Sequence, residues 1–249
     1  MLQSNVSLCS LTILNITDLI WIQDDSLGRL NCLRELAIGG FSEELQEFPW
    51  SSSIQYLSAS LLVLKLTGWE KLKSLPHQLQ FFTALEELTI EGFQGVEAFP
   101  EWLGNLSSLK RLYLSGFGKL KSLPHQLHLP STLEELTIDS FHEIEALPDS
   151  FRDLSSLECL SIQFCDKLMY LPSVDVMRSL SRLIAMSIKG CPLLEPRCER
   201  ESGPEWSKIS HLRLVLINDW RTSLGFKSFE SLAYRPPNFE LIRGHIRRC

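Results

Sequence analysis

Apolar residues recur along the chain in one repeated pattern, Leu-x-x-Leu-x-Leu, with other aliphatic residues at some of the leucine positions. The pattern occurs nine times, and its five central copies, from Leu61 to Leu157, are spaced 24 residues apart. The outer steps are 25, 28, 26 and 29 residues. The nine copies begin at Leu8, Leu33, Leu61, Leu85, Leu109, Leu133, Leu157, Leu183 and Leu212. A spacing this regular indicates that one structural unit is repeated along the chain.

Each copy predicts a short strand followed by a turn. In the repeat at 133–156, apolar residues lie at offsets +3, +5, +8, +11, +14, +18 and +21 from the first leucine. Alternation in the first six residues predicts a strand with Leu133, Leu136 and Ile138 turned inward. A proline follows at offset +15 and stops strand pairing because it has no N–H. The apolar residues at +18 and +21 then suit a helical or 3-10 turn.

One such repeat cannot enclose its own apolar row, so neighbouring repeats must stack to make a continuous core. A period in the twenties is typical of a leucine-rich-repeat solenoid. We therefore predict an α/β horseshoe with a parallel β-sheet on its concave face, and with loops and short helical or 3-10 turns on its convex face. The solenoid should span residues 1–220 in about nine repeats.

Offset +8 carries a large apolar residue in seven of the nine repeats and Cys in the other two, although the usual leucine-rich pattern has Asn or Cys there. A phenyl ring cannot bond the backbone groups at the end of a strand. We expect a stacked aromatic column at this offset, with those backbone bonds made elsewhere; the alternative is that each residue only fills space. The residues are Ile16, Phe41, Trp69, Phe93, Phe117, Phe141, Cys165, Cys191 and Trp220.

Both ends of the chain depart from the repeat. The first repeat begins close to Met1 without a visible polar cap, so we expect the chain to be the C-terminal part of a larger protein. Residues 221–249 form an irregular basic tail in which Pro236-Pro237 breaks regular structure. A poorly ordered terminus is the favoured interpretation, and a basic segment that binds a partner is the alternative.

Composition narrows the class of protein. The net charge of −6 argues against nucleic acid as a partner. Residues 6–22 are rich in Leu and Ile, but they contain Asp18 and fit the first repeat, which argues against a signal peptide or a membrane span. The seven cysteines are scattered, as expected for reduced thiols in a cytoplasmic protein.

No catalytic or metal-binding pattern stands out. Paired carboxylates such as Glu86-Glu87 recur on an open face, whereas catalytic pairs need a cleft. Cys191, Cys198 and His211 are too widely spaced for a usual zinc site. Phosphate-binding and dinucleotide-binding glycine motifs are missing from the sequence. We therefore expect a non-enzymatic protein without a cofactor.

The stretch CPLLEPRCERESGPEWSKISH at 191–211 resembles the last repeats of plant intracellular nucleotide-binding leucine-rich-repeat immune receptors. The matching residues are Cys191, Pro192, Leu194, Arg197, Cys198, Gly203, Glu205, Trp206, Lys208, Ile209 and His211. The resemblance implies a protein ligand, either a pathogen effector or a host protein, and a nucleotide-binding module in the full-length receptor. A leucine-rich adaptor, such as the substrate arm of a ubiquitin ligase, and a truncated receptor fragment are the alternatives.

The ligand of such a horseshoe is expected on the strand side chains that face away from the core. In the three repeats that begin at 85, 109 and 133, these side chains alternate acid, base and acid. Because adjacent strands lie about 4.8 Å apart, Glu86 and Glu134 should approach Lys110, and Glu87 and Glu135 should approach Arg111. The candidate protein-binding residues are Glu86, Glu87, Glu91, Lys110, Arg111, Tyr113, Glu134, Glu135, Thr137 and Asp139.

Two interpretations of these ten residues remain open. The charges can simply neutralise one another in solvent, where an exposed ion pair contributes roughly 0–1 kcal/mol. Alternatively, they form a protein-binding patch centred on Tyr113 and Arg111, because Tyr and Arg are frequent in the energetic centres of interfaces.

Overall fold

The computed structural model describes residues 8–18, 27, 30–49, 52–123, 128–218 and 247–248. The strands of these residues form one sheet in the order β10-β1-β2-β3-β4-β5-β6-β7-β8-β9. Strands β1 to β9 are parallel, one for each repeat, and the two-residue β10 pairs antiparallel with β1. The bounds are β1 Leu8–Leu14, β2 Glu35–Gly39, β3 Val63–Thr67, β4 Glu87–Glu91, β5 Arg111–Ser115, β6 Glu135–Asp139, β7 Cys159–Gln163, β8 Ala185–Lys189, β9 Leu214–Ile217 and β10 Arg247–Arg248. This architecture confirms the predicted leucine-rich-repeat solenoid.

The strands pair in the register that the repeat dictates. Leu88, Leu112 and Leu136 are mutual neighbours across β4, β5 and β6. Each is at most 2% exposed, so the inward assignment made from the alternation is confirmed. The side chains between them are partly exposed and lie on the opposite face of the sheet. Stacking therefore separates one continuous apolar core from one polar strand face.

The convex side carries the short helices that the proline step predicts. Pro76, Pro100 and Pro148 each directly precede a 3-10 helix, at His77–Phe81, Glu101–Asn105 and Asp149–Asp153. The residues at offset +18 in these helices are fully buried, as are those at +21. The other described helices are Ser52–Leu57, Pro196–Cys198, α1 Val174–Ser179 and α2 Trp206–Ile209. Pro124 lies outside the described residues.

The aromatic column at offset +8 is confirmed in the central repeats. The ring of Phe117 lies 6.4 Å from that of Phe93 and 5.1 Å from that of Phe141, centroid to centroid. Phe99, from offset +14, enters the same stack 4.9 Å from Phe117. The column does not extend to the first repeat, where Ile16 is 45% exposed. Trp220 lies outside the described residues.

The backbone at the strand ends is bonded by the neighbouring repeat, as the loss of the usual Asn requires. The Gly92 N–H donates to the Ser115 carbonyl at 3.0 Å, and the Gly116 N–H donates to the Asp139 carbonyl at 3.1 Å. Gly92 has φ +76°, a left-handed conformation that glycine adopts without steric cost. The chain thus leaves β4 and β5 by turns whose backbone groups bond to the backbone of the next repeat.

One cysteine differs from the prediction that all seven are reduced thiols. Cys32, Cys159, Cys165, Cys191 and Cys198 are free thiols, but Cys9 is disulfide-bonded, so the prediction of reduced thiols fails at Cys9. The predicted basic tail at 221–249 lies outside the described residues apart from β10. None of the helices in the described ranges has the length and apolar character that a membrane crossing requires.

Candidate functional site

The repeat places all ten candidate residues on one surface, which we call the central strand face. Glu87, Arg111 and Glu135 are register partners at the start of β4, β5 and β6, and Thr137 and Asp139 follow Glu135 along β6. The remaining members flank these positions on the same strands or directly before them: Glu86, Glu91, Lys110, Tyr113 and Glu134. Every one of the ten is partly exposed. The sequence therefore identified which side chains share this surface.

The two cations among the ten residues both pair with acids of the preceding repeat. Lys110 Nζ lies 3.0 Å from Glu86 Oε2, and Arg111 Nη2 pairs with Glu87 Oε1. Within the described part of the chain, no ion pair within 4.0 Å involves the carboxylates of Glu134 or Glu135. Arg111 still interacts electrostatically with Glu135 and Glu134, so the expected approach from the β6 side is present for Arg111 without closing to an ion pair.

Tyr113 is fixed by hydrogen bonding. Its hydroxyl donates to Asp139 Oδ2, and the Ser140 hydroxyl donates to the other oxygen of the same carboxylate at 2.8 Å. Burial is the main reason why the pKa of Tyr113 is well above its ordinary value, and the bond to Asp139 adds to the rise. Tyr113 is therefore a neutral ring with a set orientation.

Arg111 and Glu135, which are register partners at the start of β5 and β6, also have shifted pKa values. The hydrogen bond to Glu87 raises the pKa of Arg111, which keeps the guanidinium charged. Burial raises the pKa of Glu135; Arg111 opposes that rise, while Glu134 and Glu87 add to it. Glu135 is thus a half-buried carboxylate that has no bonded cation among the described residues.

The strand face contains a shallow depression of about 110 Å³. Five of the ten candidate residues line it, together with Thr89 and the backbone-side atoms of two core leucines: Glu87, Arg111, Tyr113, Glu135, Thr137, Thr89, Leu88 and Leu112. Thr89 was not among the candidates, nor was Lys65, whose Nζ lies 3.0 Å from Glu91 Oε1. Both occupy offset +4, the same offset as Tyr113, and that shared offset was the available signal.

The 191–211 stretch lies elsewhere and has a different chemistry. Glu205 is 4% exposed; its Oε2 accepts the Leu171 N–H at 2.9 Å and the Lys208 ammonium at 2.7 Å. Lys208 also donates to the Leu171 carbonyl at 3.1 Å, and Arg197 Nη2 lies 3.7 Å from Glu205 Oε1. We call Leu171, Arg197, Glu205 and Lys208 the C-terminal clamp, because they attach the last loop to an earlier repeat.

Other residues of this stretch serve packing. Cys191 and Cys198 are fully buried, and the Cys191 thiol donates to the Lys189 carbonyl at 3.4 Å. A Cβ on Gly203 would lie 2.2 Å from the Arg197 carbonyl oxygen, so only glycine fits there. Across the described residues, no group of three or more His, Cys, Asp or Glu side chains is placed to hold a metal ion.

Comparison with known proteins agrees with this fold. A family model of R13L1/DRL21 leucine-rich repeats matches residues 71–141, a range that contains β4, β5 and β6. A search of curated protein sequences gives no significant match.

Two solved structures are similar at low sequence identity. The leucine-rich-repeat domain of the type III effector XCV3220 (XopL) has a TM-score of 0.55 at 18% identity, over 84% of this chain and 75% of that chain. Internalin C2 from Listeria monocytogenes str. 4b F2365 has a TM-score of 0.51 at 17% identity, over 86% of this chain and 82% of that chain. At such identities they are evidence for the fold. The chain is therefore a leucine-rich-repeat solenoid whose central repeats match the R13L1/DRL21 leucine-rich repeats.

Proposed function

We propose that this chain is a non-catalytic protein-interaction module that binds a partner protein on its central strand face. The observation that carries the proposal is the depression beside Tyr113, which is lined by polar side chains from three neighbouring strands. Leucine-rich-repeat solenoids present extended concave surfaces of this kind for binding. Tyr113 and Arg111 are of residue types that are enriched among the residues dominating the binding energy of interfaces.

The biological setting we propose is plant innate immunity. Two sequence features support it: the match of residues 71–141 to R13L1/DRL21 repeats, which are repeats of plant resistance proteins, and the receptor-like stretch at 191–211. The partner is then a pathogen effector or a host protein that an effector modifies, encountered in the cytoplasm. In a full-length receptor, a nucleotide-binding module would respond to that binding.

Capture from leaf tissue tests the binding face. Wild-type chain, Arg111→Glu and Tyr113→Ala are immobilised and exposed to extracts of infected and uninfected leaves. Lys167→Glu serves as the matched control, because Lys167 pairs with Glu143 at 2.8 Å one repeat earlier, in a loop away from the strand face. We expect a protein that wild type and Lys167→Glu retain and that the other two variants release, with a loss on the order of 30-fold in affinity.

Retention of every captured protein by Arg111→Glu and Tyr113→Ala would place the binding surface elsewhere. The receptor setting has its own test, which is to sequence the genomic region upstream of the Met1 codon. An open frame that encodes a nucleotide-binding module is expected there, and an intergenic region would argue for a standalone product.

A further inference from the structure

Because both cations pair with the preceding repeat, the acids of the β6 repeat have no ion pair among the described residues, and Glu135 is the one of them that lines the depression. In the row Glu87–Arg111–Glu135, the arginine bonds to Glu87 and not to Glu135. The next residue in the row is Cys159, whose pKa burial raises to about 11, with smaller contributions from Glu135 and Glu158. That thiol is neutral at pH 7, so β7 supplies no positive charge to Glu135.

The surroundings of Glu135 suit a long cationic side chain. The depression is lined by Tyr113 and by polar side chains, while the side chains of Leu88 and Leu112 point into the core on the other face of the sheet. Lysine and arginine can pack their methylene stems against a tyrosine ring while their charged ends reach a polar group. A cation also gains from lying over an aromatic ring, and Tyr113 is already oriented by its bond to Asp139.

We infer that the partner of the central strand face inserts a lysine or arginine side chain into this depression and pairs its charge with the Glu135 carboxylate. The inference rests on the proposed function, because it names the chemistry of that same partner. The overall charge of the surface agrees with it: the ten residues of the face include six carboxylates and two cations, a net charge of −4. A charge-assisted bond to a carboxylate that has already lost water is among the stronger polar contacts in an interface.

A pair of small peptides tests this pairing without knowledge of the partner. Acetyl-Gly-Lys-Gly-amide is titrated into the isotope-labelled chain, and backbone amide resonances are followed by nuclear magnetic resonance. The same peptide with norleucine in place of lysine keeps the stem and removes the charge. We expect the lysine peptide to shift the resonances of Glu135, Tyr113 and Thr137, and the norleucine peptide to leave them in place.

Two isosteric variants locate the contact. Glu134 and Glu135 are adjacent glutamates that make no ion pair among the described residues, but only Glu135 lines the depression. Glu135→Gln should weaken binding of the lysine peptide by about tenfold, which is the loss of one charge-assisted bond. Glu134→Gln should retain most of the affinity. Equal affinity in wild type and Glu135→Gln, or shifts spread evenly over acidic residues of the whole surface, would overturn the assignment.

The outcome is separable from that of the proposed function. A leaf protein that Arg111→Glu releases but Glu135→Lys still binds would refute the role of Glu135 and leave the strand face as the binding surface. Absence of any captured protein, together with a Glu135-dependent peptide shift, would refute the leaf partner and leave the cation-binding depression in place.

Discussion

Glu135 on the central strand face and Glu205 in the C-terminal clamp are the same residue type in opposite settings. Glu205 is buried, and its Oε2 accepts from the Leu171 N–H and the Lys208 ammonium while Arg197 lies 3.7 Å from its other oxygen. Glu135 is half-buried, and burial raises its pKa while no bonded cation compensates. Among the described residues, one carboxylate has bonded cationic and N–H partners and the other has no bonded cation.

The difference separates residues that stabilise the solenoid from residues available to a partner. A buried charge that loses its partner is strongly destabilising, so every member of the clamp depends on the others. An under-solvated charge at a surface lowers stability, and natural proteins retain such groups mainly where binding needs them. Burial and bonding, more than residue type, therefore distinguish the two glutamates.

The largest expected effect comes from removal of the clamp acid. Glu205→Ala leaves the Lys208 ammonium and the Leu171 N–H without their acceptor. We expect the free energy of unfolding to fall by roughly 3–5 kcal/mol, the usual result of breaking a buried ion pair. Denaturant unfolding measures the loss, and amide hydrogen exchange should localise it to Leu171 and the loop at 195–209.

The clamp has a matched control in the same loop. Glu199 is exposed, and among the described residues its carboxylate accepts only the Ser202 hydroxyl, at 3.1 Å, so Glu199→Ala should change little. Glu205→Gln keeps an acceptor for the Leu171 N–H and removes the charge, so it should lie between wild type and Glu205→Ala. If Glu205→Ala unfolds at the same denaturant concentration as Glu199→Ala, the clamp is not a stabilising element.

A substitution in the core beneath the central strand face should lower stability without altering the side chains of that face. Leu136 follows Glu135 on β6 but points to the opposite side of the sheet, where it is 1% exposed. Leu136→Ala should cost about 2–5 kcal/mol through the cavity it leaves. Thermal unfolding followed by circular dichroism measures the change. An unaltered melt would contradict the packing of Leu136 against Leu112 and Leu160.

Much of this arrangement was accessible from the sequence because the repeat is periodic. The spacing of one strand in every 24 residues predicted the sheet, and the alternation within Leu133–Ile138 predicted which side chains are buried. The same alternation placed Arg111 and Tyr113 on the exposed face. The prolines before the convex helices were equally informative, since their missing N–H ends strand pairing.

The sequence could not predict which acid Arg111 pairs with. Strand spacing alone makes Glu87 and Glu135 equivalent neighbours of Arg111, so only side-chain conformation decides between them. The C-terminal clamp was even harder to predict from the sequence. Leu171 and Glu205 are 34 residues apart and lie in loops, where no periodicity indicates a contact. The sequence marked 191–211 by resemblance, without indicating that its glutamate is structural.

A smaller effect is expected where both partners of an ion pair are exposed. Glu86 and Lys110 have side chains about two-fifths exposed, at 39% and 43%, whereas Glu205 and Lys208 are at 5% and 17%. A double-mutant cycle of Glu86→Ala and Lys110→Ala should give a coupling energy of at most about 1 kcal/mol. The cycle of Glu205→Ala with Lys208→Ala should give a larger value. Equal coupling in the two cycles would remove the distinction between face and clamp.

The smallest expected effect has the opposite sign. Because burial raises the pKa of Glu135 above the ordinary 4.5, the folded chain holds this proton more tightly than the unfolded chain does. The associated stability is fully present below pH 4.5 and is lost as the pH rises through the raised pKa. Glu135→Gln removes the charge, so at pH 7 this variant should melt slightly above wild type.

The pH dependence of the two melting temperatures tests the predicted increase for Glu135→Gln. Below pH 4.5 the wild-type carboxyl is protonated and resembles the amide, so the two melting temperatures should converge. Glu134→Gln, measured in parallel, reports any general benefit of removing one negative charge from this surface. If Glu135→Gln melts below wild type at pH 7, Glu135 has a stabilising partner within the chain. It would then resemble Glu205 in this respect, and the proposed difference between the two glutamates would be wrong.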